Sequence, residues 1–119
     1  MTSETNSGER TILLAAYRGF NARQIDAVLA LMHPDVVWPN GMDRGYENGR
    51  EAVRAYWTRQ WLAIDPHVEP VAIEPDAQGR MIVEVHQVVR DKSGAILVDT
   101  MVRHAYTLRD GLIERMAIE

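Results

Sequence analysis

The sequence predicts an α+β fold in which one antiparallel sheet curves around helices from the N-terminal half. Apolar residues recur at helical spacing as far as about Ile64, and the apolar period changes to two after Asp65. Four β-prone runs follow, separated by short turns that each end in glycine. Because the helices come first and the strands follow as a meander, we expect the helices to cover one face of a single sheet.

The first predicted helix runs from Glu9 to about Ala22, and Tyr17 lies on its apolar stripe. Residues 1–8 are polar, so we expect a disordered tail there, followed by a single domain over 9–119. The tail lacks the apolar core of a signal peptide, and no segment approaches the ~20 apolar residues of a membrane span. We therefore expect a cytoplasmic protein with no membrane partner.

A second short helix is predicted over 25–32. It ends before His33, because Pro34 pushes the preceding residue out of the helical conformation. The next segment, 35–40, is extended. Since Pro39 cannot donate to a central ladder, this segment is predicted at an edge or rim of the sheet.

After a glycine-rich loop over 41–49, a third helix is predicted to run to about Ile64. Asn48 and Glu51 give it a start that is similar to a capping box. Its stripe is unusually aromatic: Val53, Trp57, Trp61 and Ile64, widened by Ala52, Tyr56 and Ala63.

The four strands are predicted at 67–75, 80–90, 95–108 and 112–118. The third strand has an apolar face formed by Ile96, Val98, Thr100, Val102, His104, Tyr106 and Leu108. Its other face is mixed: Leu97, Asp99, Met101, Arg103, Ala105 and Thr107. We expect the apolar face to cover the helices. The mixed face suits an exposed surface or the interface of a homodimer packed sheet to sheet.

The last two strands are predicted to form a hairpin around an Asp-Gly pair, which is a strong signal for a tight turn. A three-residue loop would pair His104 with Met116, whereas a two-residue loop would pair Leu108 with Ile113. The three-residue loop is preferred, because it leaves one mostly apolar face that includes His104.

Composition excludes several classes of function. At 119 residues and 46% hydrophobic, the chain forms one domain with its own core. The net charge is −4 and the 13 basic residues are scattered, so no nucleic-acid partner is expected. The absence of cysteine excludes disulfides, thiol catalysis and thiolate zinc sites. A small hydrophobic molecule is the expected partner.

Three stretches and a tyrosine-bearing first helix carry a resemblance to a known family. The stretches are Met-His-Pro-Asp-Val-Val-Trp over 32–38, Gly-Arg-Glu-Ala over 49–52 and Val-Arg-His-Ala-Tyr-Thr-Leu-Arg-Asp-Gly-Leu-Ile over 102–113. The chain resembles the nuclear transport factor 2-like superfamily, and within it the polyketide-cyclase (SnoaL-like) and ketosteroid-isomerase-like branch. This resemblance implies a cone-shaped, cystatin-like α+β barrel, a deep apolar pocket, a homodimer and no cofactor.

The resemblance also implies candidate catalytic residues. Ketosteroid isomerases use a first-helix tyrosine and a long-strand aspartate as oxyanion donors, and a rim aspartate as the base. Tyr17, His104 and Asn40 stand at those three positions. An amide cannot accept a proton at neutral pH, so steroid-isomerase chemistry by that route is not expected. His104 is expected to move the proton, while Tyr17 and Asn40 hydrogen-bond the oxyanion.

The remaining candidates are predicted to line the pocket: Trp38, Tyr56, Trp57, His86 and Met116. His86 would reach the pocket only if its face of the strand is the concave one. No metal is expected, because the two strand histidines and Glu84 do not have the spacing of a local three-ligand site.

The predicted function is cofactor-independent acid/base chemistry, of the isomerase, cyclase or dehydratase type, on a small apolar compound that is cyclic or bears a carbonyl group. A non-catalytic binding module would use the same pocket, and an interaction protein would use the mixed face instead. The enzyme requires His104 and Tyr17 to lie at one open cavity, whereas the interaction protein tolerates a filled one.

Overall fold

A computed structural model describes residues 2–41 and 44–119, and it confirms the α+β class. Over these residues the helices are α1 (Thr2–Asn21), α2 (Ile25–Leu29) and α3 (Arg50–Ala63). The strands are β1 (Met32–Pro39), β2 (Tyr46–Asn48), β3 (Asp65–Pro75), β4 (Met81–Arg90), β5 (Ile96–Arg109) and β6 (Leu112–Ile118). They form one curved, unclosed sheet in the order β2-β1-β6-β5-β4-β3. Neighbouring strands are antiparallel except β1 and β6, which are parallel.

The first helix is longer than the sequence predicts. It begins at Thr2 rather than at Glu9, so it includes residues for which a disordered tail is predicted. The buried part of the helix lies further along, at Leu13 and Tyr17. Once that part is held by packing, each added residue brings its own backbone hydrogen bond, and no proline stops the helix. The boundaries of the domain, 9–119, stay a prediction.

The segment between α2 and α3 corrects two predictions. Helix α2 ends at Leu29 rather than at residue 32, because Met32 already pairs with Ile113 of β6. Strand β1 is not at the edge of the sheet, since β2 pairs with its other side inside the predicted 41–49 loop. Residues 42 and 43 of that loop lie outside the described residues. Pro39 is tolerated because it ends the strand.

The start of α3 is also different from the prediction. Asn48 pairs with Val37 in the sheet and therefore does not cap the helix. Gly49 holds the N-cap position with a φ of 90°, a conformation that favours glycine. Its N–H donates to the carbonyl of Val36 at 2.7 Å, and this bond ties the helix start to β1.

The hairpin between β5 and β6 has a two-residue loop, so the preferred register is wrong. The pairs are His104 with Ile118, Tyr106 with Met116 and Leu108 with Ile113. Asp110 and Gly111 both have positive φ, of 56° and 76°, as a type I′ turn requires. The register shifts between Thr107 and Leu108. Because of this shift, Leu108 pairs with Ile113 as a two-residue loop predicts, but the pairs beyond it match neither predicted register.

A second irregularity changes the faces of β5. Val89 pairs with Val98 but Arg90 pairs with Ile96, so Leu97 is an extra, bulged residue. The bulge turns Leu97 to the helix side together with Val98, and it places Ile96 with Arg90 on the other side. We call the helix side the inner face; in β4 it comprises Met81, Val83, Val85, Gln87 and Val89. The opposite side is the outer face.

Candidate functional site

A cavity of ≈ 360 Å³ lies between the inner face and helices α1 and α3. This volume lies within the range of small-molecule sites, roughly 300–1,000 Å³. Most of the lining is apolar or aromatic. Of the eight predicted site residues, the structure brings six to the lining: Tyr17, Trp38, Tyr56, Trp57, His104 and Met116.

One wall of the cavity is aromatic and is built from three elements. Trp57 of α3 meets Trp38 of β1 edge to face, with ring centroids 5.4 Å apart, and meets Phe20 of α1 at 5.1 Å. Trp57 is fully buried because it lies on the stripe of α3 that the sequence predicts. Such edge-to-face contacts fix the ring planes, so this wall is a rigid surface for a flat ligand.

The polar end of the cavity is a chain of three side chains. The Tyr106 hydroxyl donates to the Tyr17 hydroxyl at 2.9 Å, and the Tyr17 hydroxyl lies 2.7 Å from Nδ1 of His104. Tyr106 and His104 are two residues apart on β5 and therefore share its inner face. Tyr17 reaches them from α1, and its ring stacks on His104 at a centroid distance of 5.9 Å.

Burial keeps all three groups of this chain neutral. It lowers the pKa of His104 to about 4, from an ordinary value of 6.5. It also raises the pKa of Tyr17 and the pKa of Tyr106 well above the ordinary value of 10.0. A neutral imidazole carries one N–H. Because the Tyr17 hydroxyl accepts from Tyr106, its own hydrogen is donated to Nδ1 of His104. The hydrogen of His104 therefore lies on Nε2.

Nε2 of His104 is an unused donor at the polar end of the cavity. No residue that the structure describes hydrogen-bonds it, although Nδ1 is paired. A neutral N–H in an apolar cavity binds an oxygen more strongly than it would in water. The arrangement can therefore hold a carbonyl or phenol oxygen and stabilise negative charge that develops on it. The Tyr17 hydroxyl is committed to His104, so it is not a second donor to the ligand in this arrangement.

Asn40 does not belong to the cavity lining, which corrects its predicted role. Its side-chain amide donates to Oε2 of Glu47 at 2.8 Å, and its backbone N–H donates to the carbonyl of Gly45 at 2.9 Å. The chain leaves the sheet after Pro39, so strand alternation no longer decides where Asn40 lies. This residue supports the turn between β1 and β2 instead of an oxyanion.

His86 lies on the outer face, and its predicted place in the pocket is wrong. Its Nε2 is 2.7 Å from Oδ1 of Asp99, and the imidazole is 46% exposed. Alternation correctly puts His86 with Glu84 on one side of β4, but that side is the convex one. Because His104 lies on the inner face, the two histidines cannot share a metal ion.

Among the lining residues that were not candidates, three bear on the chemistry or shape of the site. Tyr106 could have been found, because it is two residues from His104 on the same predicted face. Gln87 also had a signal, since it is the one amide in the alternating row of valines on β4. Leu97 had none, because its place depends on the bulge.

The protein has a curved α+β fold with a cavity whose volume is in the range of small-molecule sites. The chain belongs to the SnoaL-like domain family, which matches residues 13–116. This match confirms the resemblance to the SnoaL-like branch. No protein of curated function matches the chain. Among the helices of the described residues, none is long and apolar enough to cross a membrane.

Three solved structures illustrate the likeness. TerC, co-crystallised with polyporic acid, is 26% identical with a TM-score of 0.82, and the match covers 94% of this chain and 90% of that one. RV0760c from Mycobacterium tuberculosis, in complex with estradiol-17beta-hemisuccinate, is 22% identical with a TM-score of 0.78 and coverages of 92% and 90%. A computationally designed 17-OHP binder is 21% identical with a TM-score of 0.79 and coverages of 94% and 92%. The last two show a shared fold.

Proposed function

We propose that this chain binds a small apolar ring compound bearing a carbonyl or phenol oxygen, and that it catalyses a cofactor-independent reaction of the isomerase, cyclase or dehydratase type. The observation that carries the proposal is Nε2 of His104, which is unpaired among the described residues, in an apolar cavity, with Tyr17 on Nδ1. The ligands named for TerC and RV0760c, which are ring compounds bearing oxygen, support this class.

In this proposal His104 acts through its neutral form. Its Nε2–H donates to the substrate oxygen and stabilises the oxyanion as the ring system rearranges. Tyr17 holds the imidazole ring in place, and Tyr106 in turn orients Tyr17. With its hydrogen on Nε2 and its Nδ1 lone pair accepting from Tyr17, His104 has no lone pair left to take a proton. The proton that leaves the substrate therefore passes to water, and substrates with an acidic C–H or hydroxyl group suit the site best.

A binding module without catalysis is the second candidate, and a specific observation favours it. The described lining residues include no Asp, Glu or Lys, so no side chain of ordinary basicity faces the ligand. The designed 17-OHP binder also supports this candidate, because it is described as a binder and not as an enzyme. Both candidates require the same contact between the ligand and His104.

Tryptophan fluorescence measures the shared contact directly, because Trp38 and Trp57 line the cavity. Polyporic acid and estradiol-17beta-hemisuccinate serve as probes. We expect His104→Phe to weaken binding by about tenfold, which corresponds to the loss of one hydrogen bond. The matched control His86→Phe changes a histidine on the outer face and should bind as the wild type does.

Catalysis is tested with the same variants on a cyclic ketone whose double bond moves into conjugation, followed by ultraviolet absorbance. Turnover that is lost in His104→Phe and kept in His86→Phe supports the enzyme. Binding of the probes without turnover of this ketone supports the binding module. If neither probe binds the wild-type protein, the pocket assignment is wrong for both candidates.

We also propose that two copies of the chain associate through the outer face of β4 and β5. Met101 is 52% exposed there, beside the ion pair of Arg103 with Glu84. A two-fold interface places the same patch on both subunits. Sedimentation equilibrium should find a dimer that Met101→Glu dissociates and that the control Leu62→Glu, on α3, leaves intact. A monomeric wild-type protein would contradict this. The cytoplasmic location stays a prediction.

A further inference from the structure

The inner face of β4 is apolar except at one position. Met81, Val83, Val85 and Val89 are buried, and Gln87 stands between the last two. Gln87 lines the cavity, and its side chain makes no hydrogen bond to any residue that the structure describes. An amide without a partner on such a face costs free energy unless water or a ligand pairs with it.

The register of the sheet gives the distance from Gln87 to the polar end of the cavity. Val83 pairs with His104, and Gln87 lies four residues further along β4. At the rise of a β-strand, this separation is roughly 13 Å. The pair between them, Val85 with Val102, is apolar. On the side of the sheet, the cavity therefore has a polar end at His104 and a second polar point at Gln87, with an apolar stretch of sheet between them. On the side of α3, the lining residues Gln60 and Tyr56 hydrogen-bond each other.

The inner face of the sheet continues past Gln87 toward the mouth of the cavity. Leu97 and Val98, which the bulge turns to the inner face, both line the cavity and are 56% and 41% exposed. A ligand that reached only His104 would leave this apolar end of the wall in water. A longer ligand would cover it and would pass Gln87 on the way.

We propose that Gln87 is a second anchor that selects the ligand by length. The ligand is an elongated compound with an apolar middle and a polar oxygen at each end. One oxygen binds Nε2 of His104 and the other binds the Gln87 amide. Because an amide both donates and accepts, it fits a hydroxyl or a carbonyl group. This inference rests on the proposed function and specifies the ligand class of the same site.

Two stilbenes provide a matched pair of probes. One carries a phenol hydroxyl at a single end, and the other carries one at both ends. We expect the wild-type protein to bind the dihydroxystilbene about tenfold more tightly, since one further hydrogen bond is made. In Gln87→Leu the two affinities should become equal, while the monohydroxystilbene binds at least as tightly as before. The control Gln78→Leu, in the turn between β3 and β4, should keep the tenfold ratio.

The variant His104→Phe separates this inference from the proposed function. It should weaken the dihydroxystilbene about tenfold and make the two affinities equal, because the one hydroxyl of the monohydroxystilbene can turn to the Gln87 amide. Unchanged binding of both stilbenes in this variant would contradict the proposed function alone. Equal binding of the two probes by the wild-type protein would overturn the role of Gln87, because the amide would then be solvated by water only. A ratio that persists in Gln87→Leu would overturn it as well. If neither stilbene binds, the proposed function fails together with this inference.

Discussion

The character of His104 is decided by its surroundings rather than by its residue type. Burial lowers its pKa to about 4, and Tyr17 occupies Nδ1, so it is a neutral donor instead of a charge carrier. The sequence could bring these two residues together, because the stripe of α1 and the apolar face of β5 both point toward the core. Alternation also assigns Tyr106 to the face of His104, but it could not show that the Tyr106 hydroxyl donates to Tyr17.

At the residue scale, we predict that the two tyrosines contribute unequally to stability. Tyr106→Phe removes one buried hydrogen bond and should lower the free energy of unfolding by about 1 kcal/mol. Tyr17→Phe leaves both the Tyr106 hydroxyl and Nδ1 of His104 without this partner, so it should cost about twice as much.

Urea unfolding of the purified variants measures both losses. Tyr46→Phe is the matched control, because Tyr46 is 49% exposed and its contact with Arg115 uses the ring and not the hydroxyl. It should stay within about 0.5 kcal/mol of the wild-type protein. If Tyr106→Phe cost more than Tyr17→Phe, the chain would not pass through Tyr17.

At the scale of elements, the four strands β3 to β6 could be predicted to within about two residues, because period-two runs and glycine-ended turns mark them. Their pairing could not. The bulge at Leu97 and the register shift after Thr107 insert single residues that leave no trace in the alternation on either side. The short strand β2 was missed because three polar residues show no period.

The corner between α1 and α2 depends on the absence of a side chain. A Cβ at Gly19 would lie 2.6 Å from Cγ2 of Val28, which is almost fully buried and β-branched and cannot turn away. We therefore predict that Gly19→Ala lowers the free energy of unfolding by about 1–3 kcal/mol. The measurement is chemical unfolding followed by circular dichroism.

Gly8→Ala is the control within the same helix, where a Cβ would meet nothing within 4 Å. Alanine favours the helix, so this change should be neutral or stabilise the protein by up to about 1 kcal/mol. A second control, Gly19→Ala combined with Val28→Ala, should relieve the clash and cost less than the sum of the single changes. Equal stability of Gly19→Ala and Gly8→Ala would contradict the close contact.

At the scale of the whole molecule, the site depends on which face of the sheet is concave. Alternation sorts β4 into two faces, but either face could curve around the helices. The sequence therefore predicts His86 in the pocket, but its neighbour Gln87 lines the cavity instead. The first half of β5 is exposed, and its residues Leu97 and Val98 line the cavity there.

The buried histidine should also make global stability depend on pH. Its pKa is about 4 in the folded chain and about 6.5 when unfolded, so between these values the unfolded chain binds the additional proton. The contribution of neutral His104 to the free energy of unfolding is therefore fully present above pH 6.5. It is lost as the pH falls toward 4, by about 3 kcal/mol at most. Urea unfolding at a series of pH values measures this slope.

The variant His104→Phe lacks this titrating group. Its free energy of unfolding should therefore change less steeply with pH between 4 and 6.5, by the contribution of His104. The exposed histidines are common to both proteins and cancel in the difference. Parallel slopes for the two proteins would show that His104 titrates normally and is not buried as described.

The most direct test of the central claim is nitrogen NMR of the protein labelled with ¹⁵N at histidine. We predict that His104 keeps its hydrogen on Nε2 from about pH 8 to about pH 5. On saturation with dihydroxystilbene, the Nε2 resonance should shift while the Nδ1 resonance stays that of an acceptor nitrogen. A hydrogen on Nδ1, a titration near the ordinary pKa, or an Nε2 resonance unmoved by bound ligand would contradict the account.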